Sequence, residues 1–506
     1  MAILPDFAAF ARAYDRGEPQ ALYARLIADL ETPVSAFLKL AEGRDNAFLL
    51  ESVQGGEARG RYSIIGLKPD LVWRCRDGKA EINRSARSDA DAFVAETLPP
   101  LQSLRVLIEE TAMTLPQGVP PMAVGLFGYL GYDMVRLIER LPNAPPDTLG
   151  LPDAILLRPS ITAIFDTVRD EILVVSPVWP EQGVDARRAY ARASERLGDA
   201  IADLERAAPA SPAPRDDLPS GVEAQSNMTR DEYLAMVARA KEYILAGDIF
   251  QVVPSQRFRR PFALPPLALY RALRRLNPSP FLYNLAFPGF SIVGSSPEIL
   301  VRLRDGVVTI RPIAGTRPRG ASPEEDKQLA EELIADPKER AEHLMLVDLG
   351  RNDVGRVAEV GEVHVTDSFF IERYSHVMHL VSNVEGKIRP GLDAVDALAA
   401  GLPAGTLSGA PKIRAMEIID EFEKEKRGAV YAGAVGYFAA DGSMDTCIVL
   451  RTALIKDGTM YVQAGGGIVA DSVPEAEYQE SVNKAKALMS AAEEAVRFAS
   501  ASKRGQ

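Results

Sequence analysis

The chain has 506 residues, of which 47% are hydrophobic and 25% are charged. This composition is that of a globular protein with an ample core, and the length exceeds that of one ordinary domain. The formal net charge of −12, without a long basic block, argues against a nucleic-acid partner.

Cysteine usage and hydropathy exclude further classes of protein. Cys75 and Cys447 lie far apart and have no Cys-x-x-Cys partner, which disfavours a disulfide framework and a zinc site. Residues 1–15 lack the basic segment of an export signal, and no apolar run approaches the roughly 18 residues of a membrane span. We therefore expect a cytoplasmic protein without a membrane partner.

The first part of the chain mixes strand and helix patterns. Alternating apolar residues predict strands at 70–75 and 171–179, and helical periodicity predicts a helix over 189–207. Residues 208–227 are rich in Pro, Ala, Ser and Asp and have the composition of a linker or long surface loop. We therefore expect two regions, 1–207 and 228–500.

The second region mixes the same two patterns. A helix is predicted over 230–247, and strands are predicted at 250–258, 290–296, 434–440, 446–455 and 459–467. Gly-containing turns join many of these segments, which favours antiparallel pairing. We therefore expect an α+β fold in which large antiparallel sheets pack with helices.

One predicted helix begins with two glutamates. Asp336 is a good N-cap, Pro337 suits the first helical position, and Glu339 lies near the place of a capping-box acid. Glu342 lies deeper and borders the apolar run that follows it. Taken alone, this pair is better explained as part of the helix start than as a binding site.

A second pair of glutamates lies near the C-terminus. The predicted helix has a separate apolar stripe, formed by Tyr478, Val482, Ala485, Met489, Ala492 and Val496. Glu477, Glu480 and Lys484 form another stripe, which is either a solvated face with a Glu480–Lys484 salt bridge or a ligand set. Carboxylates from two helices are the oxygen ligands that Mg²⁺ prefers.

The segment 463–469, "QAGGGIV", follows a predicted strand. Its glycines can present backbone N–H groups to an anion, although a turn or bulge is the simpler explanation. The segment lacks the Lys-Ser/Thr of a phosphate-binding loop, so nucleotide binding is disfavoured.

Six segments, in this order and spacing, resemble the chorismate-utilising enzymes. They are "PIAGTRPRG" (312–320), "EHLMLVDLGRNDVGRV" (342–357), "YSHVMHLVS" (374–382), "GTLSGAPKIRAMEIIDE" (405–421), "GAVGYF" (433–438) and "QAGGGIVADS" (463–472). The resemblance is strong over residues 230–490. The segments "LLES" (49–52) and "GRYSIIG" (60–66) extend it to component I of the anthranilate synthases, which are lyases.

This resemblance implies a metal site and a substrate site. Glu342 and Glu480 would hold Mg²⁺, with Glu339 and Glu477 as their helical neighbours. Chorismate would be bound by residues from several motifs, namely Gly315, Thr316, Tyr431, Arg451, Gly465, Gly466, Gly467 and Lys484. The fork of Arg451 suits a carboxylate, and the alternative for this residue is a cross-strand ion pair.

The resemblance also implies catalytic residues. Glu298 would protonate the departing ring hydroxyl, a role that requires burial so that the acid keeps its proton at neutral pH. His379 would lie near the leaving group and assist pyruvate elimination, although a lone His on an apolar strand is often a core residue. Thr406 would line the pocket beside them.

Two positions indicate the branch of the family. Members that add water carry a lysine base where this chain has Gln251, whose neutral amide orients ammonia but cannot deprotonate water. Aminodeoxychorismate synthases typically carry a nucleophilic lysine where this chain has Ala314. Anthranilate formation is therefore favoured.

The nucleophile needs a source, because ammonia at neutral pH is mostly ammonium and no glutaminase motif is present. We therefore expect a separate glutaminase subunit and a hetero-oligomer. The alternatives are an aminodeoxychorismate synthase component, a catalytically inactive Mg²⁺-binding regulatory module, and an unrelated Mg²⁺ phosphotransferase, which the missing phosphate loop disfavours.

The resemblance finally implies an effector site for L-tryptophan, with 1–207 as a regulatory region and 228–500 as the catalytic one. Its residues would be Leu50, Glu51, Ser52, Pro280, Phe281 and Leu282. An apolar wall beside a carboxylate and a hydroxyl suits an indole amino acid. The alternative is a strand end whose polar residues face water.

Overall fold

The computed structural model describes residues 2–54, 58–207, 221–374 and 377–500. Most of the expected linker, 208–220, lies outside the described residues. Eleven α-helices occur in the described part of the chain: α1 (Phe7–Tyr14), α2 (Pro33–Ala41), α3 (Pro100–Thr111), α4 (Ala186–Glu205), α5 (Arg230–Leu245), α6 (Pro266–Leu276), α7 (Pro323–Ala335), α8 (Pro337–Gly355), α9 (Ala394–Gly401), α10 (Lys412–Phe422) and α11 (Pro474–Ser500).

The strands of the described ranges are β1 (Gln20–Ile27), β2 (Ala47–Gln54), β3 (Ala58–Arg76), β4 (Lys79–Asn83), β5 (Val94–Ala95), β6 (Gly125–Leu130), β7 (Ala154–Asp166), β8 (Glu171–Val178), β9 (Gln225–Ser226), β10 (Gln251–Val252), β11 (Ser255–Pro261), β12 (Phe281–Phe287), β13 (Phe290–Ser296), β14 (Ile299–Arg304), β15 (Val307–Ile310), β16 (Ile313–Pro318), β17 (Ala358–Arg373), β18 (Val377–Ile388), β19 (Gly409–Ala410), β20 (Ala434–Ala439), β21 (Met444–Ile448), β22 (Thr452–Lys456) and β23 (Thr459–Gly465). Short 3₁₀ helices span Pro121–Ala123, Tyr132–Leu137, Gly405–Leu407 and Gly428–Val430.

The described strands form one large hydrogen-bonded system of 21 strands and a separate two-stranded ribbon, β10–β19. Asp-Gly pairs with positive φ at both residues make three of its tight turns, at Asp77–Gly78, Asp305–Gly306 and Asp457–Gly458. Such turns match the twist of antiparallel strands, which is why β3–β4, β14–β15 and β22–β23 pair directly. The expected α+β fold with antiparallel sheets is confirmed.

Strands from before and after the expected linker pair within this sheet system. Strand β2 pairs with β12, and β6 pairs with β20. One core cluster likewise combines Leu49 from before the linker with Leu282 and Val462 from after it. The two expected regions are therefore joined by backbone hydrogen bonds and a common core, and their boundaries stay a prediction.

Two strands that were expected to be continuous are broken. The segment 250–258 divides at Pro254, which has no N–H to donate, so that β10 pairs with β19 while β11 pairs with β23. The segment 446–455 divides at Arg451, whose φ of +48° turns the chain between β21 and β22. Apolar and polar residues alternate across both breaks, so this alternation predicted one continuous strand in each case.

The expected helices are present as α4, α5, α8 and α11. The apolar stripe of α11 faces the core, with Ala485, Ala492 and Val496 buried together with Leu488. Within the described ranges, no helix has the length and apolar character needed to cross a membrane.

Candidate active site

The first turn of α8 is fixed by Asp336, whose side chain accepts the amides of Lys338 and Glu339 at 2.9 and 3.3 Å. The expectation that Glu339 closes a capping box is wrong. The amide of Asp336 instead donates to the Glu332 carbonyl at 3.0 Å, and the Glu339 carboxylate pairs with Arg317 at 3.1 Å. Arg317 also pairs with Asp336 at 2.9 Å, so one guanidinium links the Glu339 carboxylate to the residue that caps the helix.

The glutamates of α8 and α11 influence one another. Burial raises the pKa of Glu342, and the charges of Glu339, Glu480 and Glu477 raise it further. Burial also raises the pKa of Glu477, with Glu480 adding to the effect. Lys484 pairs with Glu480 at 2.7 Å, as the salt-bridge alternative expected, whereas Glu342 and Glu477 have no ion pair among the described residues. Negative charge thus accumulates between two helix ends.

The donor chemistry of these side chains fits Mg²⁺. Carboxylate oxygens are its preferred protein ligands, and a cation would relieve the repulsion that raises the pKa of Glu342. In the part of the chain that the structure describes, no three His, Cys, Asp or Glu side chains lie close enough to hold a metal by themselves. A metal here would thus need water or substrate oxygens as well, which is usual for Mg²⁺.

The glycine triplet that begins at the last residue of β23 lies between this cluster and the β10–β19 ribbon. A Cβ on Gly466 would lie 3.0 Å from Glu477 Oε2, and one on Gly467 would lie 2.3 Å from Gln251 Nε2. Side chains at these two positions would displace both groups. The triplet thus does more than form a turn, because it lets the backbone approach a carboxylate and an amide together.

Lys484 and Tyr431 both lie close to Gly465. The Lys484 ammonium donates to the Gly465 carbonyl at 3.0 Å. Burial raises the pKa of Tyr431, although the backbone of Gly465 partly offsets this, and the phenol stays neutral. The Arg427 guanidinium lies over the Tyr431 ring, 5.2 Å from its centroid.

Gln251 lies in the short strand β10, opposite Ala410 of β19. Its side chain is buried, and its Oε1 has no hydrogen-bond partner among the described residues. An unpaired buried carbonyl is costly and is rare in folded proteins. Gln251 therefore offers a hydrogen-bond acceptor to a small ligand.

Glu298 lies between β13 and β14 and is buried. Burial raises the pKa of its carboxyl to about 8, even though the Thr406 hydroxyl and the positive charge of Arg451 favour the ionised form. The burial that a neutral-pH acid requires is thus present.

Arg451 lies in the turn between β21 and β22. Its backbone carbonyl accepts the Ser295 amide at 3.1 Å. The expected alternative, a cross-strand ion pair, is not formed with any described residue. Burial lowers the pKa of its guanidinium, while Tyr374 and Glu298 have the opposite effect. A half-buried cation without a carboxylate partner is suited to an anionic ligand.

His379 lies on β18 opposite Thr316 of β16. Its Nδ1 is 3.1 Å from the Gly315 carbonyl and 3.1 Å from Thr316 Oγ1. Because a carbonyl only accepts, Nδ1 carries the hydrogen and Nε2 keeps a lone pair. Burial lowers the pKa of this imidazole to about 4, so the ring is neutral at neutral pH.

Gly315 connects this histidine with the glutamate cluster. Its φ of +65° forms the bulge in β16 that lies between Ala314 and Thr316. A Cβ at this position would lie 2.9 Å from Leu333 Cδ1 and 3.0 Å from Glu339 Oε2. Both the backbone angle and the space therefore require glycine.

The sequence of the chain matches the family model for chorismate binding enzyme over residues 46–490. This chain belongs to the chorismate-binding enzymes. It is 61% identical to anthranilate synthase component 1 of Cereibacter sphaeroides, over 98% of this chain and 99% of that relative. It is also 50% identical to component 1 of Pseudomonas aeruginosa, over 92% of this chain and 94% of that relative.

A solved structure of anthranilate synthase component I from Streptococcus pneumoniae TIGR4 has a similar fold. Its TM-score is 0.73 at 37% identity, with 92% of this chain and 99% of that chain covered. Within the chorismate-binding enzymes, this enzyme therefore groups with component I of anthranilate synthase, as its motifs predicted.

A second cluster of expected residues lies where strands β2 and β12 pair. In the β2–β12 ladder, Glu51 lies opposite Leu282 and Ser52 lies opposite Phe281. Leu50 and Pro280 are the neighbours of these pairs in the sequence. All six expected effector residues are thus brought together, although the two segments lie on opposite sides of the expected linker.

Glu51 does not face water, so the alternative of a solvated strand end is wrong for this residue. It is buried, and Arg274 of α6 holds its two oxygens at 2.7 and 3.1 Å while the Tyr270 hydroxyl also donates to it. Asn284 Oδ1 on β12 is buried without a partner among the described residues. Sequence reasoning missed these three residues, although Tyr270 and Arg274 share one face of α6 at i,i+4 spacing.

Proposed function

We propose that the enzyme converts chorismate and ammonia into anthranilate, pyruvate and water. The observation that carries this proposal is that Glu298, a buried acid whose raised pKa keeps it protonated, lies close enough to Arg451 for their charges to interact, while Arg451 forms no ion pair among the described residues. The first supplies a proton to a leaving hydroxyl, and the second binds a carboxylate of the substrate.

Substrate binding uses groups that surround this pair. The Arg451 fork donates two hydrogen bonds to a carboxylate, and the hydroxyls of Tyr431 and Thr316 orient the ring. The backbone of residues 465–467 approaches the substrate closely, with Lys484 holding Gly465 in place at 3.0 Å. The Gly315 carbonyl accepts the Nδ1–H of His379 at 3.1 Å and so orients that ring.

The leaving-group step is assigned to Glu298. With a pKa of about 8, its carboxyl is protonated at neutral pH and transfers its proton to the ring hydroxyl, which departs as water. Thr406 stabilises the carboxylate that remains, because its hydroxyl lies 3.4 Å from both oxygens.

The nucleophile is assigned to ammonia. Gln251 Oε1 accepts one N–H of ammonia and leaves the nitrogen lone pair directed at the ring. A neutral amide cannot act as a base towards water, so water is disfavoured as the nucleophile. Ala314 removes the covalent amine route. When pyruvate is eliminated, the neutral His379 ring accepts the ring proton at Nε2, because Nδ1–H is held by the Gly315 carbonyl.

Glu342 and Glu480 are proposed to hold Mg²⁺, with Glu339 and Glu477 beside them. When bound, the ion supplies positive charge to a substrate carboxylate and so favours electron movement through the ring. The accumulation of carboxylates that raises the pKa of Glu342 supports this assignment.

We also propose a glutaminase subunit as partner, within a hetero-oligomer. Ammonium predominates at neutral pH and is a poor nucleophile, so ammonia released beside Gln251 would be used before it is protonated. The relatives are named component 1 of anthranilate synthase, which supports a second component.

Feedback inhibition by L-tryptophan is proposed at the cluster of Leu50, Glu51, Ser52, Pro280, Phe281 and Leu282. A short backbone route leads from this cluster to the catalytic pocket. Leu282 pairs with Glu51 on one side and with Ser295 on the other, and the Ser295 amide donates to the Arg451 carbonyl. An effector that shifts β12 would thereby shift Arg451.

The test uses the purified chain alone with chorismate, Mg²⁺ and an ammonium salt, and follows anthranilate by fluorescence. We expect anthranilate with ammonia at raised pH, and with glutamine only when the partner subunit is added. A chain that binds chorismate without turnover would instead be the inactive regulatory module, and aminodeoxychorismate as main product would reject the reading of Ala314.

A further inference from the structure

A buried ion pair lies beneath the proposed chorismate pocket. The Arg427 side chain is 1% exposed and that of Glu423 is 4% exposed. Arg427 Nε lies 3.2 and 3.0 Å from the two carboxylate oxygens, and Nη2 lies 2.6 Å from Oε1. Neither side chain reaches the surface, and neither was singled out by its sequence.

The remaining guanidinium donors bind two carbonyls. Arg427 Nη1 donates to the Leu407 carbonyl at 2.7 Å, and Nη2 donates to the Val253 carbonyl at 2.7 Å. Leu407 directly follows Thr406, the partner of Glu298, and Val253 lies two residues after Gln251. One side chain therefore ties together two loops that carry proposed catalytic groups.

Glu423 extends the same network to the glycine triplet. Its carboxylate accepts the Ser255 amide at 2.9 Å and the Ser255 hydroxyl at 2.7 Å. The Gln463 amide donates to Ser255 Oγ at 2.8 Å and reaches Glu423 at 3.4 Å. Gln463 lies two residues before Gly465, the residue that Lys484 holds.

Stability alone does not account for this pair. A buried ion pair is often no more stabilising than apolar side chains of equal volume, because both charges lose their hydration. Its particular property is geometry, since the planar guanidinium donates in fixed directions that a lysine cannot reproduce. The same guanidinium also lies over the Tyr431 ring, 5.2 Å from its centroid.

We propose that Arg427, oriented by Glu423, is a positioning residue that holds Thr406, Gln251 and Tyr431 in register around chorismate. Arg427 contacts none of the reacting atoms and acts only through these three. The inference rests on the proposed function, because it names what aligns the groups of that site.

The link to Thr406 gives a specific readout. The groups that act on the Glu298 carboxyl are the Thr406 hydroxyl, the Ile313 amide, Arg451 and the Tyr374 hydroxyl. Of these, Thr406 belongs to the loop that Arg427 holds. The Thr406 hydroxyl favours the carboxylate, so its displacement raises the pKa of Glu298 and moves the alkaline limb of the rate profile to higher pH.

The test compares Arg427→Lys with Thr406→Val and with Arg136→Lys. Arg136 is the matched control, because it binds Asp420 of α10, the helix that ends just before Glu423, at 2.7 and 2.9 Å, and its hydrogen bonds among the described residues go to Asp133, Leu141 and Asp420 and to neither of the two loops. We expect Arg427→Lys to lower kcat by about 10- to 100-fold, as for a small misplacement of reacting groups. We also expect Arg427→Lys and Thr406→Val to move the alkaline limb of kcat/KM to higher pH. The Arg136→Lys control should keep the limb at the wild-type pH.

A second measurement does not depend on the reaction. Hydrogen exchange at the amides of Val253 and Ser255 and over residues 405–408 is expected to rise in Arg427→Lys and to stay unchanged in Arg136→Lys. If Arg427→Lys does not fold, Glu423→Gln replaces it, because the amide keeps the size while loosening the guanidinium; the same shifts are expected.

Two results would overturn the inference: an unchanged alkaline limb with unchanged exchange at both loops, or the same changes in the Arg136→Lys control. Absence of anthranilate formation by the wild-type enzyme would instead reject the proposed function, and the exchange data would still decide whether Arg427 holds the loops.

Discussion

The Thr406 hydroxyl lies 3.4 Å from both oxygens of the buried Glu298 carboxyl. The two residues come from distant parts of the chain, and Thr406 belongs to a short 3₁₀ helix whose last carbonyl is held by Arg427. In the proposed reaction, this contact places a hydroxyl donor beside an acid that gives up its proton and then exists as a carboxylate.

The first prediction follows from the pKa of Glu298, which burial raises to about 8. The acid works in its protonated form, so activity is present below that pH and is lost as the pH rises through it. At a fixed concentration of free ammonia, kcat/KM for chorismate should therefore fall above about pH 8. Glu298→Gln should be inactive at every pH. A rate that rises steadily to pH 10 at fixed free ammonia would exclude Glu298 as the acid.

The second prediction concerns the glutamate cluster. Glu342→Gln and Glu480→Gln should each lower turnover by more than about 100-fold and remove the Mg²⁺ requirement, because a neutral amide cannot supply ligand charge. Glu475→Gln is the matched control, since this glutamate also lies near the start of α11 but pairs with Arg230 at the surface. Near-normal, Mg²⁺-dependent turnover in either cluster variant would reject the metal assignment.

The third prediction concerns Gln251, whose Oε1 has no partner among the described residues. Gln251→Leu keeps a similar volume and removes the acceptor, so KM for ammonia should rise by about 10-fold, the worth of roughly one hydrogen bond. KM for chorismate should change little by comparison. Steady-state kinetics with both substrates varied measures this, and equal changes in the two KM values would indicate a general collapse of the pocket.

The fourth prediction concerns tryptophan. Loss of one hydrogen bond to a charged group costs about 1.5 to 3 kcal/mol, so Ser52→Ala should weaken tryptophan inhibition by roughly 10- to 100-fold. Inhibition curves, each scaled to the uninhibited rate of the same protein, provide the measurement, with Ser88→Ala as an exposed-serine control. An unchanged response in the variant, or no response in the wild type, would remove the effector assignment alone.

Local chemistry made part of this structure predictable from sequence. Asp-Gly turns and alternating apolar residues specify antiparallel hairpins, and Asp336 with Pro337 specifies the start of α8. The motifs also named residues that lie close together in the structure, including Glu298 with Thr406 and Glu339 with Gly315.

The remaining features depend on tertiary contacts that no local pattern encodes. The break at Arg451 arises because β21 and β22 find different partners. The strands on either side of Pro254 also find different partners, although the missing N–H of this proline was a local signal of that break. Glu51 acquires Tyr270 and Arg274 from across the chain, so its isolated appearance in the sequence was misleading. The Glu423–Arg427 pair has ordinary i,i+4 spacing, and only its burial distinguishes it from a surface salt bridge.

The most direct measurement of the proposed reaction supplies ¹⁵N-labelled ammonium and chorismate to the purified chain with Mg²⁺ and quantifies both products. Direct attack by ammonia followed by elimination predicts anthranilate that carries the label, formed in equal amount to pyruvate. Isochorismate, salicylate or aminodeoxychorismate as the main product, or anthranilate without the label, would contradict it.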